Sequence, residues 1–548
     1  MVLQRLSVHV RKVPLRGLIA VVALAACTRA GTSNFSNASL TIANPITPNT
    51  LNPILTTDTS EAFVADLLFA KLVTLNDHHQ HVPDLATVVP TLENGGISKD
   101  GLTVTYHLRN NARWTDGQPV TSADVKYTWQ QIMNSSNNVV SRHGYDMIKS
   151  IGTPDTHTVV LHMKQVFPPI IDAFFGESDE PYDILPAHAL AHVTNFNTMP
   201  FNAEPGVSDG PYKFARWIRG DRIVLTANDD YFGGAPKIRE LQLKIITDAN
   251  TTVAQLRTGE SQVANNLSGP SFNQLKNDSH ITRLPVTAPF YDGLMFNTAR
   301  APENDKTVRV ALAYATDRAA LNRDNQYGEA TIGSGDLSPF YWAYDPTLKA
   351  QPYDPAKARA MLDADGWKLG PGAVREKNGQ RLSLLFVYAQ GSDISRNIVV
   401  EVQQMWRAVG VDVQPKSFPY AQLYAVAQDG GIFLGGKFDV GFYAWISGGD
   451  PDDSSQWLST AIPPNGNNVC RYVSAQMDAA QHLALSTFDL GVRKRAYAQI
   501  QRLLVDDVPA IFLFYPPQRY AFVPELHNYS PNGIGEAWNA ATWTFTGQ

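Results

Sequence analysis

Apolar and polar residues alternate at Leu102, Val104, Tyr106 and Leu108, which predicts a strand with one buried face. Thr121-Ser122-Ala123-Asp124 follows with the spacing of a capping box, so a helix is expected to open there. Leu241, Leu243 and Ile245 repeat the strand period. Further along, Ile398, Val402, Met405 and Trp406 fall at helical spacing, Gly410 ends that run, and Val411-Asp412-Val413 resumes a strand. Asp354-Pro355 reads as a cap followed by proline at the first helical position, with Gly366 closing the helix. Val492, Ala496, Ile500 and Leu503 form a second helical stripe that Pro509 stops, and Ala510 to Tyr515 is an almost unbroken apolar run, as in a strand covered on both faces. Strands and helices interleave throughout, so the fold class is α/β, and no internal repeat is visible.

The first 27 residues break this pattern. Arg5, Arg11, Lys12 and Arg16 precede an uncharged run from Gly17 to Ala26, which suits an export signal and is shorter than the ~20 residues of a membrane-spanning helix. Leu24-Ala25-Ala26-Cys27 resembles the bacterial lipobox, which implies removal of residues 1–26 and lipid attachment at Cys27, with 27–39 as a small, polar tether. Cleavage there removes four basic residues and no acidic one, leaving a chain more acidic than the formal −6 of the whole. With no lysine- and arginine-rich run, nucleic acid is excluded as a partner. Only Cys27 and Cys470 are present, so a lipidated Cys27 leaves no disulfide and stability must come from burial. A chain of 548 residues exceeds one core, and two or three lobes are expected.

The order of short motifs resembles the family 5 solute-binding proteins of ABC importers, the oligopeptide and dipeptide binding proteins. Leu51-Asn52-Pro53, Thr57-Asp58 and Leu68-Phe69-Ala70-Lys71-Leu72-Val73 match its opening. Pro83-Asp84-Leu85-Ala86, Leu102 to Arg109, Trp114-Thr115-Asp116-Gly117 and Asp124-Val125 follow its signature nearly residue for residue. Gly210-Pro211-Tyr212, Asp317-Arg318, Gly366-Trp367 and Asp450-Pro451-Asp452 continue in the family's order, so the resemblance spans the chain from Leu40 onward. It implies a bilobal type II periplasmic-binding-protein fold with an extra domain and a hinge: lobe I from 40–70, 206–285 and 518–548, domain II from 71–205, and lobe III from 286–517. It also implies no enzymatic activity and no cofactor. The expected protein is an extracytoplasmic, lipid-anchored monomer that captures short peptides and hands them to permease subunits powered by separate ATPase subunits. A non-peptide solute (an oligosaccharide, an opine or a metal chelate) is the alternative within the same fold.

In that family an aspartate of the loop Trp-x-x-Asp pairs with the ligand's amino group. Here the loop reads Trp445-Ile446-Ser447-Gly448-Gly449-Asp450, so glycine stands at the aspartate position and Asp450 is the nearest substitute. Tyr443 and Trp445 share one face of the strand expected over Phe438–Trp445 and suit an aromatic platform. Ser447, Tyr388, Tyr291, Thr59 and Ser60 occupy matching loop positions and are further ligand-binding candidates.

Three other motifs point to different chemistry. Gly206-Val207-Ser208-Asp209-Gly210 has the G-x-S-x-G spacing of a hydrolase elbow, with Ser208 as nucleophile, yet proline precedes it and a strand is expected after it, where an elbow needs a helix. Gly431 to Lys437 lacks the hydroxyl residue that a phosphate-binding loop needs at Phe438. Asp77-His78-His79-Gln80-His81 concentrates imidazoles, but in a turn expected outside the cleft, and no metal ligand is assigned.

Overall fold

Two large sheets organise the chain, and each draws strands from distant parts of the sequence. The computed structural model describes residues 35–545. The export segment and Cys27 lie outside them. One sheet has seven strands in the order Thr282–Val286, Gln518–Phe522, Val263–Ala264, Leu40–Asn44, Glu240–Ile245, Arg222–Ala227 and Tyr212–Ile218. The other has six, ordered Thr331–Ile332, Ala510–Tyr515, Phe290–Phe296, Val440–Ile446, Ser383–Ala389 and Asp412–Phe418. The chain passes from the first sheet to the second through Thr287-Ala288-Pro289 and returns through Pro516-Pro517. A separate three-stranded sheet forms from Thr103–His107, Thr158–Met163 and Ile148–Asp155. The class is α/β, as the alternating periods predict.

Local signals act where the sequence places them. The Asp124 carboxylate accepts from the Thr121 N–H (2.8 Å) and opens the helix Ser122–Met133. Asp354 accepts from the Lys357 N–H (2.8 Å) and caps Pro355–Ala364, with Gly366 at φ +92° just beyond. The helix Asp393–Arg407 lays Ile398, Val402 and Trp406 on the six-stranded sheet, where the Trp406 ring stacks on Phe296 (6.1 Å) and Phe386 (6.0 Å). Each such fully buried side chain contributes roughly 1.5–3 kcal/mol.

One stripe differs from expectation. The helix Leu490–Asp507 buries Arg493, Ala496, Tyr497, Ile500, Gln501 and Leu504, while Val492 and Leu503 remain half-buried. The face is turned toward polar residues because Arg493 has a buried carboxylate to meet, a tertiary demand that apolar periodicity does not register.

Candidate functional site

The strand Val440–Ile446 carries Tyr443 and Trp445 to one face, where their rings stack 5.9 Å apart at an interplanar angle of 10°. Trp445 Nε1 donates to Ser447 Oγ (2.8 Å), and the Ser447 N–H donates to the Pro289 carbonyl (2.9 Å), fixing the strand end beside the first chain crossing. The two glycines beyond it allow a close approach. A Cβ on Gly448 would lie 2.8 Å from the Asp179 nitrogen and from Ser178 Cα, and one on Gly449 would lie 2.2 Å from Asp172 Oδ1. The Gly449 N–H donates to the Glu177 carbonyl at 2.6 Å. The position at which the resemblance expects an aspartate therefore holds glycine for a steric reason: the backbone of 178–179 occupies the space.

This approach encloses a cavity of about 240 Å³. Trp445, Ser447, Gly448, Asp450 and Asp452 line one side, and Asp172, Ser178, Asp179 and His143 the other. A second cavity of about 320 Å³ shares Ser178, Asp179 and Ser447 and adds Thr59, Asp58, Glu180 and Glu536. A third, about 260 Å³, shares Asp179 and Trp445 and is walled by Tyr443 and Tyr420.

The carboxylates here play unequal parts. Asp450 is 8 % exposed, and its Oδ1 accepts from Arg493 Nη2 at 2.6 Å. Burial works against the Arg493 guanidinium, but Asp450 outweighs it and raises its pKa. The expectation that Asp450 stands ready as the counter-charge for a ligand amine is thus corrected, since its charge is already balanced from within. Asp453 is an anchor: it accepts from Gln481 Nε2 (2.6 Å), and burial pushes its pKa well up beside Asp336, which accepts from Trp457 Nε1 (2.7 Å). Asp172 is raised by burial and faces His81 Nε2 at 2.9 Å. Burial opposes a charge on that imidazole, yet Asp172, with Asp450 and Glu177 behind it, lifts the His81 pKa above the ordinary value. The histidine-rich turn is therefore not outside the cleft, because His81 braces Asp172 in its wall, and the His79 ring lies 4.2 Å from that of Phe340. Glu180, half-buried, is pushed up to about 7 by burial and by neighbouring Asp179.

Trp445, Ser447, Gly448, Asp450, Tyr443 and Thr59 thus come together around connected cavities. Three other candidates are placed elsewhere. The Tyr291 hydroxyl donates to Gln456 Oε1 (2.5 Å) inside the core, Tyr388 packs against the core of the six-stranded sheet, and Ser60 Oγ accepts from Asn44 Nδ2 (2.6 Å). Ser208 is 1 % exposed in a turn, its N–H held by Thr115 Oγ1 (3.1 Å), and the strand Tyr212–Ile218 follows it, so it lacks the exposed strand-to-helix setting of a nucleophile. Cys470 is buried, with its thiol pushed up to about 12 by burial.

Residues 80–467 match the bacterial extracellular solute-binding proteins, family 5 (middle). The chain belongs to this family. It is 26% identical over 546 residues to the oligopeptide-binding protein AppA of Bacillus subtilis (strain 168), covering 96% of this chain and 97% of that protein. It is 24% identical over 504 residues to the probable D,D-dipeptide-binding periplasmic protein DdpA of Escherichia coli (strain K12), covering 91% and 92%. Among solved structures, NikZ from Campylobacter jejuni in complex with Ni(L-His) superimposes with a TM-score of 0.75 at 26% identity, over 93% of this chain and 100% of that one. AppA from B. subtilis in complex with a nonapeptide shares the fold, with a TM-score of 0.73 at 24% identity over 93% and 100%. The molecule is a solute-binding protein of an ABC importer with the bilobal fold of its relatives.

Sequence reasoning passed over the opposing wall of this solute-binding protein. Asp172, Asp179 and Glu180 lie in a segment with no motif; its only cue is the acidic run Glu177-Ser178-Asp179-Glu180 directly after Phe174-Phe175-Gly176. Arg493 was equally hidden, as one charge among several on a long helix.

Proposed function

We propose that this protein captures short peptides in the cleft between Asp172–Asp179 and Trp445–Asp452 and delivers them to an ABC permease, tethered to the outer face of a membrane by lipid on Cys27. The observation that carries the reading is the cavity closed by two glycines, whose backbone bond from Gly449 to Glu177 joins walls separated by about half of the chain. Oligopeptide- and dipeptide-binding relatives covering nearly the whole chain support the solute class. We assign lobe I to 40–70, 206–285 and 518–548, domain II to 71–205 and lobe III to 286–517, with the hinge at the two crossings near 287–289 and 516–517. Ligand then works by stabilising a closed arrangement whose contacts an open one lacks, a shift of population without chemistry. An extended peptide has main-chain groups to pair within such a cleft, and its side chains can rest in hydrated pockets. The stacked Trp445 and Tyr443 offer one of them a flat apolar surface.

Mass spectrometry of whatever the protein carries when isolated from cells, released by denaturation, tests this. Heterogeneous short peptides are the expected outcome. A single non-peptide compound, a metal chelate included, overturns the peptide assignment while keeping the transport role.

A further inference from the structure

We infer that the cleft selects solutes carrying ammonium or guanidinium groups, so that its ligands are cationic. This deepens the peptide reading and rests on it for the identity of the backbone. The two cavities that share Ser178, Asp179 and Ser447 are lined by Asp58, Asp66, Asp172, Asp179, Glu180, Asp450, Asp452 and Glu536, and, among the described residues, by no lysine or arginine. Some of that charge is balanced from behind. Arg493 holds Asp450, Lys71 holds Asp66, and His81 meets Asp172. The remainder has weaker partners: Glu536 accepts from Tyr520 (2.9 Å) and Asn265 (2.8 Å), and Asp452 accepts from the Ser454 N–H (3.0 Å) and lies 3.9 Å from the imidazole of His143. At Glu180 the influences are burial and the like charge of Asp179, with no cation to offset them.

A second, independent feature is an unpartnered buried hydroxyl at the cavity border. Thr56 borders the larger cavity, is 2 % exposed, and has a hydroxyl oxygen that meets no hydrogen-bonding group of the protein. A buried hydroxyl without a partner is costly, and an ammonium or guanidinium N–H in the cavity would satisfy it. Aromatic faces complete the arrangement. The third cavity joins Asp179 and Glu180 to Trp445, Tyr443 and Tyr420, which is the combination of negative charge and π-face that holds an alkylammonium or guanidinium. Gly448 fits the same logic. A single fixed aspartate at that position would serve one terminal amine, whereas carboxylates spread over the opposite wall accept cations at several places along a ligand.

The test is calorimetric titration of the whole protein, stripped of bound solute, with Ala-Ala-Ala, Lys-Ala-Lys, Glu-Ala-Glu and spermidine. Lys-Ala-Lys is expected to bind about tenfold or more tightly than Ala-Ala-Ala, and Glu-Ala-Glu about tenfold more weakly, as one charge-assisted contact predicts. The D179N/E180Q double variant should shrink the ratio between Lys-Ala-Lys and Ala-Ala-Ala severalfold while leaving the thermal midpoint in place. Equal affinity for the three peptides overturns the cation inference and leaves peptide binding standing. Tight binding of spermidine with none of the peptides keeps the cation inference and overturns the peptide. A ratio unchanged in the double variant overturns the role of this wall.

Discussion

The two walls of the cleft are both acidic and do opposite things with their acids. On the Asp450 side, the charge is consumed by the fold: Arg493 pairs with Asp450 at 2.6 Å, donates Nε to the Ala484 carbonyl (3.1 Å), and lies over the Trp342 ring at 5.3 Å. On the Asp179 side, Glu180 has burial and a like charge around it and no cation. The first arrangement builds a rigid loop. The second holds a negative field open to whatever enters. Of the carboxylates that stand out in the sequence, the Asp-Pro-Asp-Asp run, Asp450 and Asp453 are thus taken up by the fold, and Asp452 alone keeps weaker partners.

The sharpest way to break this contrast is to remove the internal cation. In Arg493→Met the Asp450 carboxylate stays buried without its partner, and about 3–5 kcal/mol of stability should be lost, as when one member of a buried pair is deleted. Urea unfolding followed by circular dichroism reads it. Adding Asp450→Asn to the same chain should restore most of the loss, because the uncompensated charge goes with it. An R493M midpoint equal to that of the parent would mean that Asp450 is solvated, and the two walls would then be alike.

A pH series separates the walls by another route, with an expected effect on the order of 1–3 kcal/mol. Burial pushes Glu177 and Asp183 up to about 7, against ordinary values near 4.5 and 3.8, and Glu536 likewise to about 7. Between those limits the folded chain holds protons that the unfolded chain has released, so stability falls as pH rises through the window. His81 acts in the same direction. Its pKa is raised above 6.5 in the folded state, so its contribution is complete below that value and is lost as pH rises through the folded pKa. Urea midpoints at pH 5, 6.5 and 8 should therefore decline in that order. A midpoint that climbs with pH would place these carboxylates in ordinary solvated surroundings.

Much of the fold was legible in the sequence. The caps at Thr121 and Asp354, the strand Ala510–Tyr515 and the face of Asp393–Arg407 are local matters, settled by residues a few positions apart. The platform of Tyr443 and Trp445 could be read for the same reason, since a strand's period of two fixes it. What could not be read depends on partners far along the chain. Asp450 and Arg493 are 43 positions apart, and Gly449 meets Glu177 across 272. Tyr291 and Ser60 were misplaced for a related reason: a hydroxyl beside a loop looks available until the core that claims it is known. The Gly448 departure was visible as a departure from the family pattern, but its cause lies in a backbone that only the folded chain brings near.

The smallest effect concerns closure itself. In Gly449→Ala the added Cβ would stand 2.2 Å from Asp172 Oδ1, which lines the cavity wall, so the loop has to retreat and the 2.6 Å bond to the Glu177 carbonyl stretches with it. The Cβ also meets Leu75 Cδ1 at 3.0 Å, the far end of a flexible core side chain that can give way, so the penalty falls mainly on the closed arrangement. Affinity for Lys-Ala-Lys should fall about tenfold, near 1.4 kcal/mol, while the urea midpoint stays within error of the parent. Small-angle scattering of the variant in the presence of that peptide should show a larger radius of gyration than the parent, because the bound population is now partly open. If affinity and radius are both unchanged, the glycines are fillers in a loop and closure rests on other contacts. If the midpoint falls together with affinity, the approach of the walls is part of folding and not of ligand capture, and the division between a wall that builds the structure and a wall that meets the ligand no longer holds.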